Sequence, residues 1–365
     1  LKTIDLNFFI LYFNHIKKYR KGSVNLSKVY FVKNSESDYD WLGKYAVELL
    51  KKIVSETGYS FEKEVPIKVH FGEKENKTFI PAKCYDGIIN YLKEEGVLTS
   101  YIETNVLYRG SRTTTEDHIK TAKSHGFTQI PIIIADGEIG TQYYEVEINK
   151  DFFNKCKIGK EYEKYRQFIV TSHFKGHIAA GFGGAIKQLA MGFAARGGKL
   201  EQHTDISPII EAKKCISCGI CVDKCDFDAI NIVDTAEIDD SKCTGCAGCI
   251  AVCPKSAISN SWSGSDFYEK LSEYAYGASK DKDIIYISFV HNITKECDCT
   301  GIPMKPITDN IGIVAGKDPV ALDTACLDLV QKNSGEKLFE NGRVSLRHAE
   351  KIGLGTMEYE LIEIN

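Results

Sequence analysis

Four cysteines at 215, 218, 221 and 225 are followed by four more at 243, 246, 249 and 253, so a single spacing is written twice in succession. Three thiolates two residues apart wrap one corner of an iron-sulfur cubane, while a fourth set off by three residues points the other way. In two-cluster ferredoxins that fourth cysteine crosses to the other cluster. The pattern therefore assigns Cys215, Cys218, Cys221 and Cys253 to one [4Fe-4S] cluster, and Cys243, Cys246, Cys249 and Cys225 to a second. A zinc ribbon is the competing reading, but zinc takes four ligands per site, typically from cysteine pairs rather than two runs of four. The duplication extends beyond the thiols. Ala229-Ile230 and Ala257-Ile258 stand at the same offset after each run, each expected to bring a short strand and an apolar cover to a cluster. Asp226 follows Cys225 where Pro254 follows Cys253. An unneutralised carboxylate there disfavours adding an electron to the second cluster.

The rest of the chain bounds what can surround such a module. With 43% hydrophobic and 26% charged residues among 365, it has the composition of a globular chain with one large core plus a small unit. A formal charge of -4 shows no basic excess, which argues against nucleic acid as the main partner. Thirteen cysteines, eight of them in the cluster spacing, argue for a reducing cytoplasm in an anaerobic or microaerobic cell rather than for disulfides. Residues 1–23 carry an apolar run at 8–13 that is too short for a membrane span and lacks a signal cleavage site. That segment reads as a non-native or disordered extension, with the true start near Val24.

From Val24 short apolar runs alternate with amphipathic stretches, the pattern of an α/β fold with a largely parallel sheet and flanking helices. Strands are expected at 28–33, 67–71, 99–104, 130–135, 168–173, 284–290 and 311–315. Helices are expected at 41–55, 85–95, 116–125, 184–194, 266–276 and 319–331. The alternation resumes after the cysteine runs. This divides the chain into a first α/β part (24–207), an embedded α+β ferredoxin-like two-cluster module (208–262) and a second α/β part (263–365). A module flanked on both sides by one domain is held in place, as electron delivery to a particular site requires.

Several motifs together carry a family resemblance. They are Lys68-Val69-His70-Phe71-Gly72-Glu73-Lys74, Tyr108-Arg109-Gly110-Ser111-Arg112, the stretch from Phe174 to Gly184, the double cysteine run, and Asp318-Pro319-Val320-Ala321-Leu322-Asp323. The chain resembles the uncharacterised iron-sulfur centre proteins, a domain-of-unknown-function family with an embedded ferredoxin-like segment. The resemblance covers nearly everything after Val24. It implies an α/β protein of anaerobes carrying two [4Fe-4S] clusters, and it supplies no reaction.

Candidate chemistry outside the clusters begins at His173, Lys175 and His177. These share a face if the segment is a strand, whereas on a helix only the two histidines would. Gly181, Gly183 and Gly184 then run into an apolar helical stretch, so open backbone amides could meet an anion at the helix start. No Walker or dinucleotide fingerprint is present, since Ile186 stands where a third glycine belongs. The segment reads either as a structural turn with hydrogen-bonded histidines or as an anion site with a histidine acid or base. Lys68 and His70 on one strand, and Arg109 with Arg112 after another, are surface ion-pair partners or further grips on the same anion at the carboxyl edge of the sheet. Cys297 and Cys299 share a face if extended, and with Cys326 they are a metal or redox-thiol candidate or ordinary reduced cysteines. Cys84 and Cys156 have no partner pattern. Asp318-Pro319 reads as a helix start with its cap.

Besides a redox sensor whose clusters gate ligand binding, two functions follow as expectations. One is a cytoplasmic iron-sulfur oxidoreductase, or its electron-delivering subunit, passing electrons to a small anionic ligand near Lys175. The other is a carrier without turnover that docks an electron-transfer partner protein.

Overall fold

The apolar runs pair side by side in a single eight-stranded sheet in the computed structural model, which describes residues 26–34, 38–204, 207–261 and 265–364. The expectation for residues 1–23 lies outside the described residues. The strands are β1 (Ser27–Lys33), β2 (Ile67–Lys68), β3 (Tyr101–Glu103), β4 (Ile132–Ile134), β5 (Gln167–His173), β6 (Asp283–Val290), β7 (Gly312–Gly316) and β8 (Tyr359–Glu363). Their order is β8-β1-β7-β6-β5-β2-β3-β4. Every neighbouring pair is parallel except the two made by β7, which runs against β1 and β6. The mixed α/β fold with a mostly parallel sheet is the one the alternation predicts.

Central strands are apolar on both faces because helices cover both. Phe168 and Val170 of β5 enter one core with the helices Ala185–Phe193, Phe267–Ser279 and Pro319–Ser334. Ile169, between them, points into the other core with Tyr39–Thr57 and Asp86–Glu94. The same alternation divides Ile284 and Tyr286 of β6 from Ile285 and Ile287. This period of two, read across a continuous apolar run, marks a strand buried on both sides.

Three expectations shift. The strand expected at 67–71 leaves the ladder after Lys68; Gly72 turns the chain at φ 77°, and Glu73 N–H donates to the carbonyl of Asp298 (3.0 Å). His173, Lys175 and His177 do not share one strand. β5 ends at His173, and Lys175–His177 folds back on Gly181–Gly183 as a separate hairpin. Its close packing needs Gly176, where a Cβ would stand 2.0 Å from the Lys295 carbonyl oxygen. The hairpin Tyr143–Glu147/Lys155–Gly159 and the helices Arg196–His203 and Arg343–Lys351 were not anticipated.

The segment between β5 and β6 carries the cysteines, and because those strands pair, both its ends return to the same sheet. Its elements are short: Ile209–Ile210 pairs with Ile258–Ser259, Ile230–Ile232 pairs with Ala236–Ile238, and two helices span Ile220–Asp223 and Gly248–Val252. Leu107 and Leu200 from the larger body complete its small core.

Candidate functional site: a cavity beside two cysteine pockets

The carboxyl ends of β2, β3, β5 and β6 open on one side of the sheet, and the loops that follow them wall a cavity of about 430 Å³. His70 comes from the loop after β2. Glu103 ends β3, and Thr104, Val106, Leu107, Tyr108 and Arg112 follow it. His177 comes after β5, and Cys299 and Thr300 come after β6. Lys187, Gln188 and Met191 on the helix Ala185–Phe193, with Lys199 and His203 on Arg196–His203, close the opposite wall. Open parallel sheets bind ligands at this edge, and the volume suits a small molecule.

The basic groups expected to grip an anion divide sharply. Lys68 is fully buried and donates to Glu103 Oε1 (2.8 Å) and the Val69 carbonyl (2.8 Å), so it neutralises a cavity carboxylate from behind. Arg109 turns the other way, donating to the carbonyls of Ala251 (3.1 Å) and Cys253 (2.6 Å), and ties the cysteine segment to the sheet edge. Arg112 lines the cavity, yet its guanidinium is committed to Glu73 (3.2 Å), Tyr108 Oη (2.6 Å) and His70 Nε2 (3.2 Å). Burial, then Arg112, holds the His70 imidazole well below its usual pKa.

His173 and Lys175 also face inward, toward Asp298. His173 Nδ1 meets Asp298 Oδ2 at 2.7 Å and its Nε2 meets the His291 carbonyl at 2.7 Å. Lys175 Nζ donates to the His173 carbonyl (3.0 Å) and lies 3.1 Å from Asp298 Oδ2. Both are buried and neither lines the cavity. Of that trio only His177 reaches it, with Nδ1 accepting from the N–H groups of Ala179 (3.2 Å) and Ala180 (3.0 Å).

The expected anion site at Gly181, Gly183 and Gly184 is corrected. The first amides of the following helix donate to a carboxylate of the chain itself: Ala185 to Asp323 Oδ1 (2.7 Å) and Ile186 to Asp323 Oδ2 (2.9 Å). The three glycines are not in the cavity wall. Burial raises the Asp323 pKa to about 7 against the pull of these amides. Asp323→Ala is expected to cost about 1–3 kcal/mol, because two buried N–H groups lose their acceptor, and urea unfolding measures it. Asp318 caps its helix as read, accepting from Val320 (2.8 Å) and Ala321 (3.0 Å).

Sequence reasoning missed Lys187 and Lys199. Lys199 Nζ donates to Thr104 Oγ1 (2.7 Å) and to the Ala194 carbonyl, and burial lowers its pKa to about 8 despite Asp136 and Glu103. Arg112, Lys187 and Lys199 thus face a single cavity carboxylate, Glu103, that Lys68 already neutralises. A lysine at 187, in a helical run whose other residues except Gln188 are apolar or glycine, was the available signal.

Beside this cavity the cysteines gather in two pockets. Cys215, Cys218, Cys221 and Cys253 line the first, and Cys225, Cys243, Cys246 and Cys249 line the second. Each takes three cysteines from one run and the last from the other. The duplication is also in the backbone. Ser217 and Gly219 (φ 53° and 79°) match Gly245 and Ala247 (φ 67° and 57°), and Asp228 (φ 49°) matches Ser256 (φ 50°). Main-chain N–H groups reach sulfur in both halves, Ala229 to Cys225 (3.4 Å) and Ala257 to Cys253 (3.2 Å). Ala236 N–H donates to Cys215 Sγ at 3.4 Å. Apolar covers complete them, with Ala257 and Ile258 on the first and Ala229 and Ile230 on the second.

Residues 65–328 match the family model described as Domain of unknown function (DUF362). The chain belongs to that family. No curated protein matches it. Among solved structures, this DUF362 chain is similar at 9% identity and a TM-score of 0.39 to a protein from Thermotoga maritima, a structural genomics target, over 88% of this chain and 61% of that one. It is similar at 12% identity and a TM-score of 0.37 to the lactate racemase apoprotein from Thermoanaerobacterium thermosaccharolyticum, over 72% and 51%. The DUF362 chain therefore spans less than two thirds of either. Among its described residues no helix is long and apolar enough to cross a membrane.

Proposed function

We propose that the chain holds two [4Fe-4S] clusters in an embedded ferredoxin-like module and exchanges electrons with a small anionic ligand in the neighbouring cavity. The observation that carries this reading is the sorting of eight cysteines into two pockets of four, each drawn from both runs. The donor set fits: four thiols per pocket, N–H groups on sulfur, and apolar cover, with no histidine among either pocket's lining. Such clusters supply one-electron oxidation and reduction when bound. Leu107 belongs to the module's core and to the cavity wall, and Arg109 fixes the Cys253 carbonyl, so the two sites are held at a constant separation. With Arg112 paired to Glu73, Lys187 and Lys199 supply positive charge, while Val106, Leu107 and Met191 supply apolar contact for the ligand body.

Anaerobic purification with iron and sulfide counting tests the reading. About eight of each per chain supports it, together with a small anion released on denaturation and identified by mass spectrometry. Iron absent from protein purified without air would sink it.

Lys199 gives the cavity a pH dependence of known sign. Its ammonium is charged below about 8 and neutral above. The co-purifying anion is expected to survive washing at about pH 7 and to leave at about pH 9, whereas Lys199→Ala should lose it at both. Equal retention by the wild type and the variant would remove Lys199 from the ligand site.

The carrier reading draws on a different observation. Ile216, Ile220, Phe227 and Val233 are exposed on the module, as is Cys218, and exposed apolar side chains suit contact with an electron-transfer partner. A carrier would show two reducible clusters and no retained ligand.

A further inference from the structure

Cys297 and Cys299 have no part in the cluster reading, and their surroundings differ from those of the remaining thiols. Cys84, Cys156 and Cys326 are buried, whereas the thiols of Cys297 and Cys299 adjoin each other beside His177. At Cys297 the chain does not stay extended. Thr300 N–H donates to the Cys297 carbonyl (3.1 Å), closing a turn. Asp298 is thereby directed toward His173, Lys175 and Thr78, while Cys299 lines the cavity. Both thiol sulfurs and a ring nitrogen of His177 lie within 4.8 Å of one another. Residues two apart in a turn bring their Cα atoms to roughly 5–6 Å, inside the span of a disulfide.

Three such groups could also hold a metal ion, and two features decide against that. Nδ1 of His177 already accepts two main-chain N–H groups, so a neutral ring keeps its proton on Nε2 and has no lone pair left for a metal. Lys187 Nζ stands 3.9 Å from Cys297 Sγ; an ammonium repels a cation and stabilises a thiolate. The Cys299 N–H also donates to Cys297 Sγ (3.4 Å). The pair is physically joined to the first cysteine pocket. Tyr108 Oη donates to the Cys299 carbonyl (2.8 Å), and the next residue, Arg109, donates to the Cys253 carbonyl (2.6 Å).

We propose that Cys297 and Cys299 are a dithiol–disulfide centre that exchanges two electrons in the cavity wall. This deepens the proposed function and rests on it for the electron source. In the reducing direction the S–S bond breaks and takes two electrons, supplied one at a time by a low-potential one-electron donor protein at the module. One proton from cavity water goes to Cys299 Sγ, and Cys297 is left as a thiolate beside Lys187. The reverse step forms the S–S bond and returns the two electrons and the proton.

The test is an anaerobic reductive titration of the cluster-loaded protein after mild oxidation with diamide, run beside the Cys297→Ser/Cys299→Ser double variant at matched iron content. The wild type is expected to take about four electrons per chain and the variant about two, one per cluster. In the wild type the peptide holding both cysteines should accept two alkyl groups only after reduction. Equal electron counts overturn the proposal. So does alkylation of both thiols before reduction, or a further metal ion that is lost in the variant. The alkylation readout stands without the clusters, so failure of the cluster reading and failure of the thiol pair are told apart.

Discussion

Asp298→Ala is expected to lower the unfolding free energy by about 3–5 kcal/mol, the cost of leaving a buried charge without its partner. The Asp298 carboxylate is almost completely buried. Its Oδ2 meets His173 Nδ1 (2.7 Å) and Lys175 Nζ (3.1 Å), and its Oδ1 accepts from Thr78 Oγ1 (2.9 Å). Burial opposes its ionisation, but His173 and Lys175 outweigh burial and hold its pKa well below the usual carboxylate range. Lys175 is affected in the reverse sense, with burial disfavouring its charge and Asp298 and Cys297 more than restoring it. Removing the carboxylate leaves that ammonium buried with the His173 carbonyl as its remaining acceptor among these contacts. The sign with pH follows. A depressed carboxyl pKa contributes stability above the unfolded value near 4, and that stability is lost as pH falls through the folded value. The wild type should therefore keep this contribution at neutral pH and lose it only in strong acid. Anaerobic urea unfolding at matched iron content measures the effect, and Asp298→Asn separates lost charge from lost shape. A loss under about 1 kcal/mol at neutral pH would mean that Lys175 is not held by this carboxylate.

The same residues show where sequence reading reaches its limit. The sheet was legible because β5 from Phe168 to Val170 and β6 from Ile284 to Ile287 are continuously apolar, so both faces must be covered, which no surface strand would be. The cysteine grouping was legible because ligand spacing is local and was written twice. The basic groups were misread because a cation in sequence carries no sign of its partner. Lys68 finds Glu103, Arg109 finds two carbonyls, and Lys175 finds Asp298, each partner more than thirty residues away. Gly184 precedes a helix as expected, but the carboxylate that takes its amides arrives from Asp323 on a helix much later in the chain. Lys199 lies on the helix Arg196–His203, whose mean composition is too polar for its buried face to stand out in a one-dimensional reading.

Paired cysteine substitutions should give the largest change in metal content and distinguish crossed from uncrossed ligation. If each pocket holds one cluster, Cys225→Ser with Cys243→Ser removes two ligands from the same pocket, because both line the second. Cys215→Ser with Cys225→Ser takes one ligand from each. A cubane deprived of a thiolate is destabilised, and its cysteines supply much of the local core. The first pair is therefore expected to retain about four iron per chain and the second to retain close to none. Uncrossed ligation predicts the opposite, since Cys215 and Cys225 would then share one cluster while Cys225 and Cys243 would divide between two. Iron counting after anaerobic purification reads the difference directly. The remaining cluster should also respond to its own pocket. In the first pair it would be the one held by Cys215, Cys218, Cys221 and Cys253, next to Arg109 and the cavity, so the retained anion should still be present. Loss of the anion together with the second cluster would show that the cavity depends on the whole module for its shape, through the Lys157 contact to the Thr244 carbonyl (3.3 Å) and the packing of Gly197 against Gly245 and Cys246.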